Sequence, residues 1–551
     1  MNKQIIIFFI LYFQIIFAES GNFIIQGLGR SVIKNKSLSG RIVNENTTRF
    51  LSGGYTFADS RFIFSPNEYT RIHTVFRFKN IMGGFWGEGN SVEFREFHAE
   101  GIVSKIFKYE IGDIDVEYTP FTIFNDDFTV GIEPEIFSIR RDFKNYENFN
   151  IKNNWRLQGL RGTINLNLDT YFNTGKFTSF VAQLNNKSNG KNIRLIKGSQ
   201  INLYSGKKID LGGQVVQLTD IKETMISDDF VSNYVFSYDV NWNDNILSNP
   251  INIAIESGLS RFFLNNVLQK SDWFVDLEFN VAIFEKFNYL FGYLNVGPNF
   301  ISPSAQSRRL DYNGENLDFP IISSPNSPNI LNKLTNTLFS NQLISFNHLE
   351  YDIRTENIAP HGKATSNRIG ILSSIKGDFS GIKLIISGNW YNEIIGIGTT
   401  HLRNFSSLSV EGKINTLDFL NKKSVLTFSI NQFNTDRNGN ISKKINLNNT
   451  LYQAGFDIDL VNNFSLLGGF QKLVSNGNEF ISQYDAPLQI MGYENIKIDS
   501  DEYIFSTGFK LNVNKNTFFL FTINQIIFDD YLIIENSYKL DEMFLVYTME
   551  F

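Results

Sequence analysis

The residues best placed to do chemistry lie between positions 71 and 117. Arg71, His73 and Arg77 occupy alternate positions of one segment. Glu93 and Arg95 follow, the alternation slips by one at Arg95-Glu96, and Glu96, His98 and Glu100 continue it. Lys108 and Glu110 come next, and a second slip at Gly112 leads to Asp113, Asp115 and Glu117. In an extended chain every second residue shares a face, and a one-residue slip reads as a β-bulge. Charges of both signs therefore line one face of consecutive strands. Facing water inside a closed sheet, such a face orients or selects polar solutes. The pattern suits equally a cross-strand ladder of compensating charges that stiffens a wall. Both readings turn these side chains inward.

Catalytic chemistry has less support. The histidines are His73, His98, His348, His361 and His401, and none forms H-E-x-x-H. No G-x-S-x-G, P-loop or phosphate-binding G-x-G-x-x-G after a strand occurs. His98 near Glu93, Asp113 and Asp115 imitates a barrel-wall hydrolase site, but a lone histidine among carboxylates is more often a hydrogen-bonded structural residue. The chain has no cysteine, which removes disulfide scaffolds, thiolate metal sites and thiol enzymes. Asn434–Asn440 (NTDRNGN) lacks the ligand spacing of an EF-hand. No catalytic residue, metal or cofactor is expected. Fifty basic against 56 acidic residues, a formal charge of −6, leave no footprint for nucleic acid.

The elements that carry this face have period two almost throughout. Aromatics make up 15% of the 551 residues and charged residues 19%, too aromatic for disorder; the mean hydropathy is −0.16. Trp273, Val275, Leu277, Phe279 and Val281 share one face, while Asp276, Glu278 and Asn280 share the other. Phe230, Tyr234, Phe236, Tyr238, Val240 and Trp242 repeat the pattern, as do Tyr503, Phe505, Phe509, Leu511 and Val513. Such segments are half-buried strands.

Soluble sandwiches and membrane barrels both use them. Three features favour a barrel: an aromatic outer face suited to interfacial girdles, alternation sustained over most of the chain, and connections that alternate short and long. Short turns fall near 205–207, 285–286, 377–381, 461–463 and 514–516. Longer polar connections fall at 219–228, 261–272, 298–366, 393–405, 434–450, 473–500 and 527–541. Short periplasmic turns and long extracellular loops are the asymmetry of outer-membrane barrels.

Residues 1–18 carry Lys3, an apolar run over Ile5–Phe17 broken by Gln14, and the small Ala18. This is the build of a secretory signal peptide, which leaves 19–551 as one domain. Beyond it no apolar run is long enough for a membrane helix.

The chain ends with Met543, Leu545, Tyr547, Met549 and Phe551 on one face. This arrangement resembles the C-terminal signature of bacterial outer-membrane β-barrel proteins, which their assembly machinery reads. Arg95–Gly101 followed by Tyr109–Asp113 is similar to an early hairpin of trimeric porins, with Asp113 where those carry Arg. The resemblance implies a barrel in the outer membrane of a Gram-negative bacterium, without a subfamily. Its partners would be outer-membrane lipid, the barrel assembly machinery and small polar solutes, with homo-oligomerisation left open.

At roughly 20–25 residues per strand and connection, residues 19–551 make a single transmembrane antiparallel β-barrel of about 22 strands (range about 18–24). Residues 119–162 fit the pattern least. Because 19–160 otherwise alternate as strands, a separate plug domain ahead of the barrel is not expected. The 298–366 connection is far longer than closure needs, and Ile330, Leu331, Leu334 and Leu338 recur at helical spacing after Ser327-Pro328. It folds inward as a constriction or stands outside as a flap. The function expected is a porin-like channel for small polar solutes. The alternative is a non-transporting barrel that serves as a surface anchor or as part of a secretion or adhesion assembly.

Overall fold

A computed structural model describes residues 22–551, except 83–88, 127–130, 149–156, 169–170, 185–191, 207, 223–229, 247–248, 284–285, 308–318, 320–321, 323–351, 417–422, 441–442, 462 and 487–488. The expected signal peptide and the Ile330–Leu338 stripe lie outside the described residues.

Twenty-two strands form one closed antiparallel sheet. In chain order they begin with β1 (Asn22–Gly40), β2 (Phe50–Asn67), β3 (Thr70–Ile81), β4 (Asn90–Val103), β5 (Phe107–Ile114), β6 (Leu157–Asn167), β7 (Thr174–Leu184) and β8 (Asn192–Tyr204). Next come β9 (Ile209–Lys222), β10 (Val231–Ile246), β11 (Asn249–Leu264), β12 (Val267–Ile283), β13 (Phe287–Val296), β14 (Arg368–Phe379) and β15 (Ile382–Asn392). The last are β16 (Arg403–Asn415), β17 (Ser424–Arg437), β18 (Ile445–Val461), β19 (Phe464–Ala486), β20 (Gln489–Asn514), β21 (Thr517–Asp530) and β22 (Tyr538–Glu550). Closure joins β1 to β22 from Leu28 opposite Glu550 to Gly40 opposite Tyr538. Beyond the last pair, the Gly27 N–H donates to the Phe551 carbonyl at 2.8 Å and the Phe551 N–H returns a bond at 3.0 Å.

An even strand number puts both termini at one end, and the tight turns gather there, as the alternation of connections predicts. The turns after β8, β12, β14, β18 and β20 all belong to this periplasmic end. Two expected long loops are instead tight hairpins of long strands. At 261–272, β11 and β12 meet in a two-residue turn in which Asn265 and Asn266 both take positive φ, 51° and 64°. At 473–500, β19 and β20 stay paired as far as Ala486 opposite Gln489. Likewise the 434–450 connection contracts to 438–444. Above the bilayer both faces of a strand meet water, so polar residues read as loop while the backbone ladder continues.

The faces sort as their period predicts. On β12, Trp273 (50% exposed) and Leu277 (38%) point outward, whereas Asp276 is 6% exposed and turned to the interior. In water an exposed row of large apolar residues would be costly; in lipid it is the stable arrangement.

Residues 119–162 break the pattern for a structural reason. The chain leaves β5 and folds into the barrel. There it forms a short strand at Phe124–Asp126 and the helix α1 at Glu135–Asn148 before returning as β6. The described parts of the 297–367 connection fold inward as well. Its Ala305–Ser307 pairs in parallel with Phe124–Asp126, so the two insertions are joined to each other. The apolar clusters of the molecule lie where these insertions meet the wall. One holds Ile136, Phe137 and Ile139 against Leu467, Ile504 and Leu520. A second sets Ile114, Val116 and Ile123 on Phe180, Ile196 and Val216. In the third, Phe121 stacks on Phe274 with ring centroids 3.9 Å apart, beside Phe300 and Ile358.

Candidate functional site

α1 lies across the inner side of the seam where β1 meets β22. A helix leaves its last carbonyls without intrahelical partners and carries partial negative charge at that end. Three arginines of the wall meet this end. Arg77 donates to the Glu147 carbonyl at 2.6 Å, and Arg95 to the carbonyls of Tyr146 and Glu147 at 3.0 and 3.2 Å. Arg30 donates to the Phe143 carbonyl at 3.4 Å and to the Glu147 carboxylate at 3.0 Å. That carboxylate also accepts from the Tyr55 hydroxyl at 2.6 Å. Asp59 holds the arginines in place: Arg77 grips it with two nitrogens at 2.7 and 2.8 Å, and Arg95 reaches it at 2.8 Å. Such forked pairing fixes a guanidinium plane as well as its charge. The Arg77 guanidinium also sits over the Phe57 ring, 4.2 Å from its centre.

Further along the helix, Arg140 bonds Glu542 of β22 at 3.2 Å, and Glu542 pairs with Lys36 of β1 at 2.5 Å. Burial pulls the Arg140 guanidinium below its ordinary value, and Glu542 opposes that shift. Burial likewise pushes the Tyr146 hydroxyl up. The helix thus holds both strands of the closure at once.

A second charged group stands at the periplasmic end of β3–β6. His73 and His98 face each other in register with ring centres 5.8 Å apart. Their Nε2 atoms lie 3.7 and 3.9 Å from the Glu100 carboxylate. The Nδ1 atom of His98 is 2.9 Å from the Asp113 carbonyl. Lys108 bridges Glu100 and Glu110, both at 2.9 Å. Arg161 reaches Glu110 at 3.3 Å and the Asp115 carbonyl at 2.8 Å. Arg71, with its side chain 58% exposed, is 3.8 Å from Glu100. Glu96 pairs with Arg61 at 3.4 Å. Glu93 is exposed and stands opposite Arg77 in register.

The structure therefore divides the sequence-derived set. Arg77 and Arg95 belong to the helix dock. Arg71, His73, His98, Glu100, Lys108 and Glu110 form the periplasmic cluster. Asp113 serves the backbone, accepting from the Phe97 N–H at 2.7 Å where pairing with β4 has ended. The slip at Arg95 is a bulge, with Arg95 unpaired between Glu96 and Phe94. At Gly112, which takes the left-handed φ of +101° that favours glycine, the pairing with β6 runs on without a shift, and Ile114 and Val116 are buried whereas Asp115 and Glu117 are exposed.

Residues that the sequence reading missed complete the dock: Arg30, Tyr55, Asp59, Lys36, Arg140, Glu147 and Glu542. For Arg30, Lys36 and Asp59 the only signal is a charge at an inward position of a strand. The other insertion docks in the same way. Lys363 bonds Asp276 at 2.7 Å and also bonds Glu278. Burial opposes its charge, and the two carboxylates outweigh burial and hold its ammonium above its ordinary value. Arg354 bonds Glu502 at 3.4 Å, and Asn357 bonds Glu479 at 2.6 Å.

Beside α1, the inner wall of β18–β21 is polar. Gln471, Ser475, Ser506, Thr522 and Asn524 are buried there, and they present side-chain nitrogen or oxygen atoms that no group bonds among the described residues.

A closed sheet leaves no unpaired edge, and here its outer face is apolar and its inner face polar. A bilayer demands that of strands that cross it. The chain is a transmembrane β-barrel of the outer-membrane type. No family model and no curated protein matches it. Among solved structures it is similar to OccD3 (OpdP) of Pseudomonas aeruginosa, at 9% identity over 97% of this chain and 91% of that one, TM-score 0.34. It is also similar to the outer membrane protein OpdK of Pseudomonas aeruginosa, at 7% identity over 96% and 99%, TM-score 0.36. With the ferric enterobactin receptor PfeA the identity is 9% over 96% and 81%, TM-score 0.45. Similarity at this level is one of barrel form.

Proposed function

We propose that the chain is an outer-membrane channel for small polar solutes whose passage is narrowed by α1 and the inward-folded 297–367 connection. The observation that carries this reading is the character of the contact between insertion and wall. At its charged ends α1 is held by ion pairs and hydrogen bonds, and the wall beside it keeps polar atoms that no group bonds among the described residues. Buried polar groups without protein partners are served by water or ligand. A lumen that was only structural would be filled more stably by apolar packing. The periplasmic cluster around Glu100 then stands at the inner mouth, where charge of both signs orients polar solutes.

A second reading is favoured by one observation. The β19–β20 hairpin, with strands of 23 and 26 residues, is more than twice the ~9–11 residues needed to cross the bilayer. It projects a rigid surface outward, as a barrel acting in adhesion or surface assembly would. Liposome swelling separates the two. Vesicles holding the protein should admit a small neutral amino acid, and admit it faster when Arg30, Arg77 and Arg95 are all replaced by Ala. Vesicles that stay impermeable in both cases favour the surface role.

A further inference from the structure

On the outside of the barrel, a groove of about 520 Å³ opens over β6–β10. Its floor is made of small residues, Gly162, Ser179, Gly198 and Ser199, between the larger Leu160, Val181 and Phe236. Ser199 donates to the Ser179 hydroxyl at 3.0 Å, and Ser179 to the Gly198 carbonyl at 3.2 Å, so the floor meets its own polar needs. Along one edge the strand register sets Lys197, Gln217, Tyr234 and Arg261 on neighbouring strands in a single row. All four alternate with buried neighbours and so point away from the lumen.

Lipid-facing cations need a reason. Towards the periplasm the outward residues of β8 are Ser199, Ile201 and Leu203, and those of β11 are Leu259, Ser257 and Ile255, with no charge among them. One pair below Arg261, Leu259 faces Trp273, an aromatic suited to the interfacial girdle. The basic row therefore lies where hydrocarbon gives way to headgroups. Lys197 and Arg261 have no carboxylate partner among the described residues. Gln217 donates to the Tyr234 hydroxyl at 2.7 Å between them. The long side chains on either side can lean towards that pair.

We infer that this groove and its basic row form a binding site for an anionic lipid. The acyl chain lies over Gly162, Ser179 and Ser199, and the phosphate is held by Lys197 and Arg261 with Gln217 and Tyr234 between them. Two things on the wall identify the occupant: the cations complement a phosphate, and the groove is continuous with the lipid-facing belt.

Native mass spectrometry of the purified full chain tests the site, with dioleoyl phosphatidic acid as probe and dioleoylglycerol as the same chains without phosphate. The wild type should hold phosphatidic acid at least about tenfold more tightly than dioleoylglycerol. The double variant Lys197→Gln, Arg261→Gln should lose that preference, and Ser199→Trp, which fills the groove, should lose both lipids. Heat-modifiable mobility on gels checks that each variant is folded. A wild type without preference for the phosphate, or a preference that survives the double substitution, overturns the site. So does a dimer of the wild type that retains no lipid and is dissociated by Ser199→Trp, since the groove would then belong to a second copy of the chain.

Discussion

At the scale of single residues, position in the alternation decides what a substitution costs. Leu277 sits among outward residues near the middle of β12, and Asn280 is turned inward three residues away. Leu277→Lys should destabilise the barrel by about 2–4 kcal/mol, the range for a cation at a lipid-facing midplane site, and Asn280→Lys by far less. Urea unfolding in lipid vesicles measures both, and equal costs would contradict the register. Asp59 is the residue on which the dock depends most. It is 2% exposed and holds Arg77 and Arg95 together. Removing one partner of a buried pair strands the other, so Asp59→Ala should cost about 3–5 kcal/mol. A loss below about 1 kcal/mol in the same unfolding measurement would mean that the arginines find water or the helix carbonyls sufficient.

The elements show which parts of the structure the sequence reveals. The tight periplasmic turns are legible because each interrupts a strict period of two with polar residues. The hairpins at Asn265-Asn266 and Ala486–Gln489 are not, because strands above the bilayer lose their apolar face and keep only their backbone bonds. α1 is hidden for another reason. Its apolar residues Ile136, Phe137, Ile139 and Phe143 span only two turns, inside a 14-residue segment rich in charge. Most of its stability comes from partners such as Arg30, Arg77 and Glu542, far away in the chain. The charged set at 71–115 shows its slip at Arg95-Glu96 in the sequence. Its division between a helix dock and a periplasmic cluster is not legible there, since that depends on where residues 135–148 come to rest. Arg140, Glu542 and Lys36 tie α1 to both strands of the seam, so Glu542→Ala should lower the fraction of protein that runs as the compact, heat-modifiable form. A fraction equal to wild type would show that the seam closes without the helix.

For the whole molecule, the insertions after β5 and β13 act as one body, because the parallel pair at 124–126 and 305–307 links them. The barrel is wide enough to leave a lumen at this strand number. The insertions inside it are held at one end by the arginines on α1 and at the other by Lys363 on Asp276 and Glu278. Deleting residues 304–360 removes most of the second insertion, Arg354 and Asn357 included, but leaves every strand of the barrel. The protein should still assemble and should conduct more than the wild type in planar bilayers. Assembly with unchanged conductance would place the main barrier at α1.

On the channel reading, α1, docked by Arg30, Arg77 and Arg95, narrows a conductive lumen. Single-channel recording in planar bilayers tests it most directly, comparing the wild type with the triple variant Arg30→Ala, Arg77→Ala, Arg95→Ala. The wild type should show small or infrequent openings and the variant larger, sustained ones, in protein that remains folded by heat-modifiable mobility. Equal conductance for the two folded proteins, or no conductance from either, would contradict it.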